Sequence, residues 1–546
     1  VSGIVKVGKA FGDRSGIFVS AMTMWRGLEM KLRRVSAVLV MVVLAVAALS
    51  VPLAAERDGG GAKSGDTLVL YLSGTPREMG MQYGQFARDA IVDNVDQVWD
   101  WAMSEGLDLD EMVATALAFE QHMSEDMIDE LEGMAETSGV PYEDLLVLNV
   151  YNDGGSEQRA CTNFAAAGSG VVGGLALSSK NRDLNNIQVL LIVEPLNGYK
   201  FFGMMSAGAL GIAQGINEKG LAIGHTWMPV PEYDETGYAP FIVNQIVMES
   251  CVDVDDAISF IDDVPKREGA TFGISDASVA AFVESIPTMY AAVYGNDIAV
   301  DLVEDGVRVH TNHYVLEPFF SAVVEDGFGY MWTPSYARYD RGLELLAENP
   351  VVDVDLIQAF CRDLENWGVG SPGEVTDAHP EIPDECWVGG WPGFSICNAR
   401  TVSSSVFTAD AEYPEYLSVM WMAINNPAWA PYVPIHNGLL LMPEETGEAL
   451  EPYVSGRAWS LSAQLRSTGE WGELIPVLES WEDGWQAENA ATEDAVRALL
   501  DKGRVRKAVS ILTAADCGIA SEALVLLESL LDATVATELV AATVKA

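Results

Sequence analysis

Cys161 stands in EQRACTNF (157–164), directly before Thr162 and directly after a run whose Asn152, Asp153, Gly154, Gly155 and Ser156 read as turn or exposed loop. Most unpaired cysteines sit inside apolar runs as small core residues. One that closes a loop and opens a strand-like stretch is a candidate nucleophile. A thiol attacks a carbonyl only as the thiolate, so a base must take its proton. Histidine, the usual base, is scarce, with six in 546 residues and no convincing partner near Cys161 in sequence. His310 and His313 form H-x-x-H, but on a strand-like segment they point to opposite faces. Without a third ligand at helical spacing the pair does not read as a metal site. No cofactor is expected.

The elements that must position Cys161 change character at that residue. Before it, TLVLYLSG (67–74) reads as a strand. Thr75, Pro76 and Glu78 then form a helix start, and helical patterns run to residue 151. Gly80 and Gly84, four apart on the first helix, predict close approach of another element. After Cys161 come short alternating runs split by Gly, Asn and Asp: VVGGLALSSKN, VLLIVEP, YKFFGMMSA, GIAQGINEKGLAIGHTW, ATFGISD, VAAFVES, AAVYG and GVRVHTNHY. These are strand and hairpin signals. Residues 241–264 read as helices between them. The reading is α+β in layers, with 67–160 a helix-rich segment, 161–470 the main body and 471–546 a helical C-terminal appendage.

Residues 31–55 carry a basic start (Lys31, Arg33, Arg34), an apolar run of about 15 residues and small residues near Ala55. That is a secretory signal pattern, shorter than the roughly 20 residues a spanning helix needs. Met30 is the expected start, with 1–29 an over-extended N-terminus, 30–55 a signal peptide or anchor and 56–66 a Gly-rich linker. Export is expected, with membrane attachment only if this segment is retained. The net charge of −49 excludes nucleic acid as a partner, since phosphate binding needs clustered Lys and Arg. Six cysteines do not make a disulfide scaffold. Cys386 and Cys397 could still close a local disulfide in an exported chain.

GTPREMGMQYG (74–84), ELEGMAETSGV (130–140), CTNFAAAG (161–168), SSKNRDLN (178–185), INEKGLAIG (216–224) and TNHY (311–314) occur in an order that resembles the isopenicillin-N acyltransferase-like family of N-terminal nucleophile hydrolases. More distantly the set is similar to choloylglycine hydrolases and acid ceramidase. The resemblance spans about residues 66–440. It implies a four-layer αββα sandwich and a precursor that cuts itself between Ala160 and Cys161, leaving two chains that stay associated. The new α-amino group of Cys161, with a reference pKa near ~8, is then the base. Gly is the residue associated with the position before the nucleophile, and here it is Ala160.

The resemblance further implies that Asp183 orients the α-amino group and that Asn217 and Asn312 form an oxyanion hole. Lys180 stands where choloylglycine hydrolases carry Arg, Arg182 is a nearby alternative cation, and Arg400 is similar to a family arginine near the nucleophile. Plain alternatives exist: Asp183 as a turn residue, Asn217 as the turn of N-E-K-G, Asn312 as a strand-end cap. The implied function is a cysteine amidohydrolase or acyltransferase acting on a small-molecule amide or acyl substrate. The competing readings are a lipid amidase or phospholipase B-like hydrolase, and a non-catalytic exported binding protein on the same fold.

Overall fold

Thr75 caps the first helix as its sequence predicts: its hydroxyl accepts from the Glu78 N–H, and Glu78 Oε2 takes the Thr75 N–H at 2.8 Å. The computed structural model describes residues 60–61, 69–151, 160–184, 186–328, 331–366, 387–388, 393–441, 456–468 and 471–545. The signal-like segment 30–55, the linker 56–66 apart from Gly60 and Gly61, which form a short strand, the loop before Cys161, and Cys386 lie outside them.

Five helices follow the first two strands: α1 (Pro76–Phe86), α2 (Arg88–Glu105), α3 (Leu109–Glu120), α4 (Glu125–Ser138) and α5 (Tyr142–Tyr151). The glycine pair on α1 works as expected. A Cβ at Gly80 would stand 1.9 Å from the Glu130 carbonyl oxygen, and one at Gly84 2.3 Å from that of Met134. Only glycine lets α1 and α4 lie backbone against backbone.

Two sheets form the centre. The first runs β1 (Gly60–Gly61), β2 (Val69–Gly74), β5 (Gln188–Pro195), β6 (Phe201–Ser206), β7 (Gln214–Asn217), β8 (Ala222–Met228), β9 (Gly269–Ser275), β10 (Ala280–Ser285) and β11 (Ile298–Val303). Its one parallel pair is β2 with β5. The second, antiparallel throughout, runs β12 (Gly306–His310), β3 (Ala160–Ala167), β4 (Leu177–Asp183), β13 (Thr401–Thr408), β14 (Val419–Ile424) and β15 (Tyr432–His436).

The sheets face each other across a partly polar interior. Ser178 on β4 meets Ser275 on β9 at 2.7 Å, and Gln214 on β7 donates to Ser405 on β13 at 2.8 Å. Helices α6 (Pro240–Ser250) and α7 (Val254–Asp263) cover the first sheet. Past α8 (Phe319–Asp326), helices α9 (Thr333–Glu348) and α10 (Val354–Cys361) lie on the second. This is the αββα order. One strand expectation fails: AAVYG is a short helix, Ala291–Tyr294, entered from a 3-10 turn and ended by Gly295 at φ +87°. Five residues without sustained alternation were too few to separate strand from helical turn.

The C-terminal helical region comprises α11 (Gly456–Thr468), α12 (Trp471–Leu500) and α13 (Val505–Lys545). It packs on the second sheet and extends its outer helical layer. Glu482 on α12 takes both guanidinium arms of Arg362 at 2.5 and 2.6 Å, and the Tyr432 N–H at 2.5 Å. Asp516 on α13 takes the backbone N–H and the ring Nδ1 of His436, both at 2.9 Å. Residues 59–546 pack as one compact unit. Val505–Thr534 is long and apolar enough to cross a membrane by composition, but Leu512, Ile519, Ala523 and Leu527 are buried in the core. Cys397 has a free thiol that donates to Asn426 Oδ1 at 3.0 Å, and the Cys386 half of the expected local disulfide lies outside the described residues.

Candidate active site

Strand β3 opens on the candidate cleavage site. Ala160 pairs with Asp183 and Cys161 with Arg182 on β4, so the peptide between Ala160 and Cys161 lies in register with the end of the motif KNRD. Both Ala160 and Cys161 are buried. The Cys161 N–H donates to Asn312 Oδ1 at 2.9 Å. Its carbonyl accepts from Nη1 of Arg338.

Alternation along β4 sends Lys180 and Arg182 toward the first sheet. The Lys180 ammonium bonds the His225 carbonyl on β8 and lies 3.5 Å from Thr226 Oγ1, with Cys161 as a neighbouring group. Burial pushes its pKa below the ordinary lysine value, and the neighbouring Cys161 and Asp183 oppose that shift. Arg182 is spent on tying β4 to the first sheet, through Gln188 Oε1 at 2.6 Å and Ser206 Oγ at 3.0 Å.

Asp183 faces the other side and is fully buried. Its Oδ1 accepts from the Thr401 hydroxyl at 2.7 Å, while Oδ2 has no hydrogen-bond partner. Burial raises its pKa; Arg338, Thr401, Asn398 and Lys180 pull it back. A buried carboxylate oxygen without a donor, on the residue paired with Ala160, is the kind of group that would receive an ammonium.

Asn312 follows the end of β12, as GVRVH-T-N predicts. Its carboxamide is oriented from both ends: Nδ2 donates to the Trp227 carbonyl at 2.8 Å, and Oδ1 accepts from Arg338 Nη2 at 2.8 Å as well as from Cys161. His310 and His313 have separate surroundings. The first stacks on Phe282 with Nδ1 3.6 Å from Glu284; the second stacks on Tyr336.

Two sequence expectations change. Asn217 sits at the end of β7 with its amide turned outward: Nδ2 donates to the Met248 and Cys251 carbonyls at 3.0 Å each, and Oδ1 accepts from Lys219 N and Leu221 N. Both amide N–H groups are committed to carbonyls at the end of α6, so none remains for an oxyanion. Arg400 is half-buried beside Asp183, whose charge supports it against the lowering effect of burial. The guanidinium that reaches Cys161 is that of Arg338, which also donates to Thr162 Oγ1 at 3.0 Å and the Gly393 carbonyl at 3.0 Å. Arg338 was missed because TPSYARYDRG shows two arginines on one helix. Arg341, three residues on, pairs with Asp363 and Glu344 at the periphery.

Two antiparallel-rich sheets stacked between helical layers make a fold similar to that of the N-terminal nucleophile hydrolases. Residues 179–366 match the family model described as acyl-coenzyme A:6-aminopenicillanic acid acyl-transferase. The resemblance read from the motifs therefore holds over a stretch that includes Lys180, Asp183, Asn312 and Arg338. Among solved structures, a Caenorhabditis elegans N-acylethanolamine-hydrolyzing acid amidase ortholog aligns at 13% identity and TM-score 0.28, covering 46% of this chain and 97% of that one. A mutant conjugated bile acid hydrolase from Clostridium perfringens aligns at 13% and 0.31, covering 50% and 92%. No curated protein matches the chain.

Proposed function

We propose that this chain is a self-cleaving amide hydrolase whose nucleophile is Cys161. The observation that carries the reading is the convergence on one residue: Asn312 on its N–H and Arg338 on its carbonyl, with Lys180 as a charged neighbour. Three polar groups from three separate chain segments, all buried, have no structural need to meet at a loop-end cysteine.

In the precursor, Cys161 Sγ attacks the Ala160 carbonyl carbon. The C–N bond breaks, the nitrogen takes the thiol proton, and Ala160 is held as a thioester. Water then cleaves the thioester, leaving the Ala160 carboxylate, a free thiol and a free α-amine on Cys161. In turnover that amine accepts the thiol proton and Sγ attacks a substrate amide carbonyl. The one N–H of Asn312 Nδ2 not held by Trp227 serves the oxyanion. The amine leaves with a proton, and water resolves the acyl-enzyme. Asp183 Oδ2 receives the α-ammonium when it forms. The signal-like segment 30–55 favours an exported protein, where water is the abundant acyl acceptor, so hydrolysis is the proposed direction.

Intact-mass measurement with N-terminal sequencing tests this. A large fragment beginning at Cys161 is expected, and Cys161→Ala should stay one uncut, inactive chain. An active single chain, or a fragment starting elsewhere, would overturn the mechanism and favour a binding protein on the same fold.

A further inference from the structure

Asn312 presents its carboxamide to Cys161 only if its backbone is held, and one buried hydroxyl does the holding. Ser335 Oγ accepts the Asn312 N–H at 2.7 Å. The same oxygen lies 2.9 Å from Thr311 Oγ1 and 2.8 Å from His313 Nδ1, while Thr311 Oγ1 donates to the Ser335 carbonyl at 3.0 Å. Ser335 therefore touches three consecutive residues of the segment leaving β12. It is fully buried and sits in the first turn of α9, three residues before Arg338. One helix thus grips Asn312 twice, by the backbone through Ser335 and by the side chain through Arg338. Further along, Glu284 takes the Val315 and Leu316 N–H groups at 2.7 and 3.1 Å, so the segment has no slack beyond the grip.

We propose that Ser335 is a positioning residue that acts on Cys161 chemistry through Asn312. The proposal rests on the function stated above. Proton accounting agrees with it: the hydroxyl accepts from Asn312 N–H, and its own proton goes to His313 Nδ1 in the Nε2–H tautomer. Removing the hydroxyl leaves the Asn312 N–H without an acceptor in a buried place, and that strain is relieved by moving the residue whose side chain faces the nucleophile.

A double-mutant cycle on the full chain tests it, with self-cleavage followed by gel on freshly translated precursor and melting temperature measured alongside. Ser335→Ala is expected to slow self-cleavage about 10-fold or more, and to add less than about 2-fold in an Asn312→Ala background, because a residue acting only through Asn312 has nothing left to act on. Thr311→Val removes another partner of the same hydroxyl and should leave the rate within about 2-fold. Ser335→Cys, near-isosteric with a weak acceptor, should fall between wild type and Ser335→Ala; it stands in if the alanine variant does not fold. Equal losses in both backgrounds, or a wild-type rate in Ser335→Ala and Ser335→Cys, would overturn the positioning role alone. A wild-type rate in Asn312→Ala would remove Asn312 from the site, and both readings with it.

Discussion

The amide nitrogen of Cys161 and the side-chain oxygen of Asn312 lie 2.9 Å apart, although 151 residues separate them in the chain. That bond joins the start of β3 to the residue just past β12, its neighbour in the sheet. It places a carboxamide at the Ala160–Cys161 bond, the one that the proposed self-cleavage would break.

Asn312 is the first place to test this. Asn312→Ala should lower turnover of already cleaved protein by about 10²-fold, the usual scale for losing an oxyanion donor. Asn312→Asp should be at least as harmful, since a carboxylate repels the developing negative charge. Because Arg338 Nη2, the Cys161 N–H and the Trp227 carbonyl each lose a buried hydrogen bond, the melting temperature should fall as well, consistent with about 1–3 kcal/mol for a buried group left short of a bond. Turnover per cleaved molecule is the deciding measurement, and an unchanged value would assign Asn312 to capping the strand.

The two candidate arginines should separate cleanly. Arg338→Lys keeps a charge but loses the fork that reaches the Cys161 carbonyl, Thr162 and Asn312 together. It should slow both self-cleavage and turnover by about 10²-fold, in the range of other buried charge-assisted contacts at reacting centres. Arg400→Ala should cost less than about 10-fold, because the contact in view is with Asp183 and not with Cys161. Rates for the two variants in the reverse order would restore Arg400 as the arginine of the site.

Asn217→Ala should behave as a scaffold change. Four buried hydrogen bonds are lost at the β7 turn, which predicts a destabilisation of about 1–3 kcal/mol or more. Turnover per cleaved molecule should stay nearly intact. A large loss of turnover at unchanged melting temperature would return Asn217 to the oxyanion hole.

His436 ties the C-terminal helices to β15 with a defined pH dependence. Burial disfavours its charge, but Asp516 and Glu493 override that and push its pKa up to about 10. The unfolded reference is about 6.5. Between those values the folded state holds a proton that the unfolded state has released, so its contribution is complete below about 6.5 and is lost as pH rises through about 10. Buried Glu130 and Glu284 and half-buried Glu249, raised by desolvation to about 8, 8 and 7, bend stability the same way. The useful quantity is therefore the melting-temperature gap between wild type and His436→Gln. It should be widest near pH 6 and narrow toward pH 10; a gap independent of pH would show that His436 stays neutral.

What the sequence determined by itself was everything carried by near neighbours. The Thr75–Glu78 box, the Gly80 and Gly84 spacing, the alternating runs after Cys161 and the loop before it are all written within a dozen residues. Those signals sufficed for α+β in layers and for Cys161 as the residue to watch, while the αββα order came from the family resemblance. AAVYG failed because five residues hold too little periodicity. The tertiary structure decided which polar groups meet. Asn217 and Asn312 both lie at strand ends in plausible motifs, yet one carboxamide faces α6 and the other faces Cys161. Arg338 outranks Arg400 because α9 crosses beside β3, a fact no local pattern contains. Likewise, residues 471–546 looked like an appendage because their partners Arg362, Tyr432 and His436 lie far upstream. A side chain's partner across a sheet or between layers is set by how the chain returns, and return paths follow from the packing of the whole core, not from spacing along the chain.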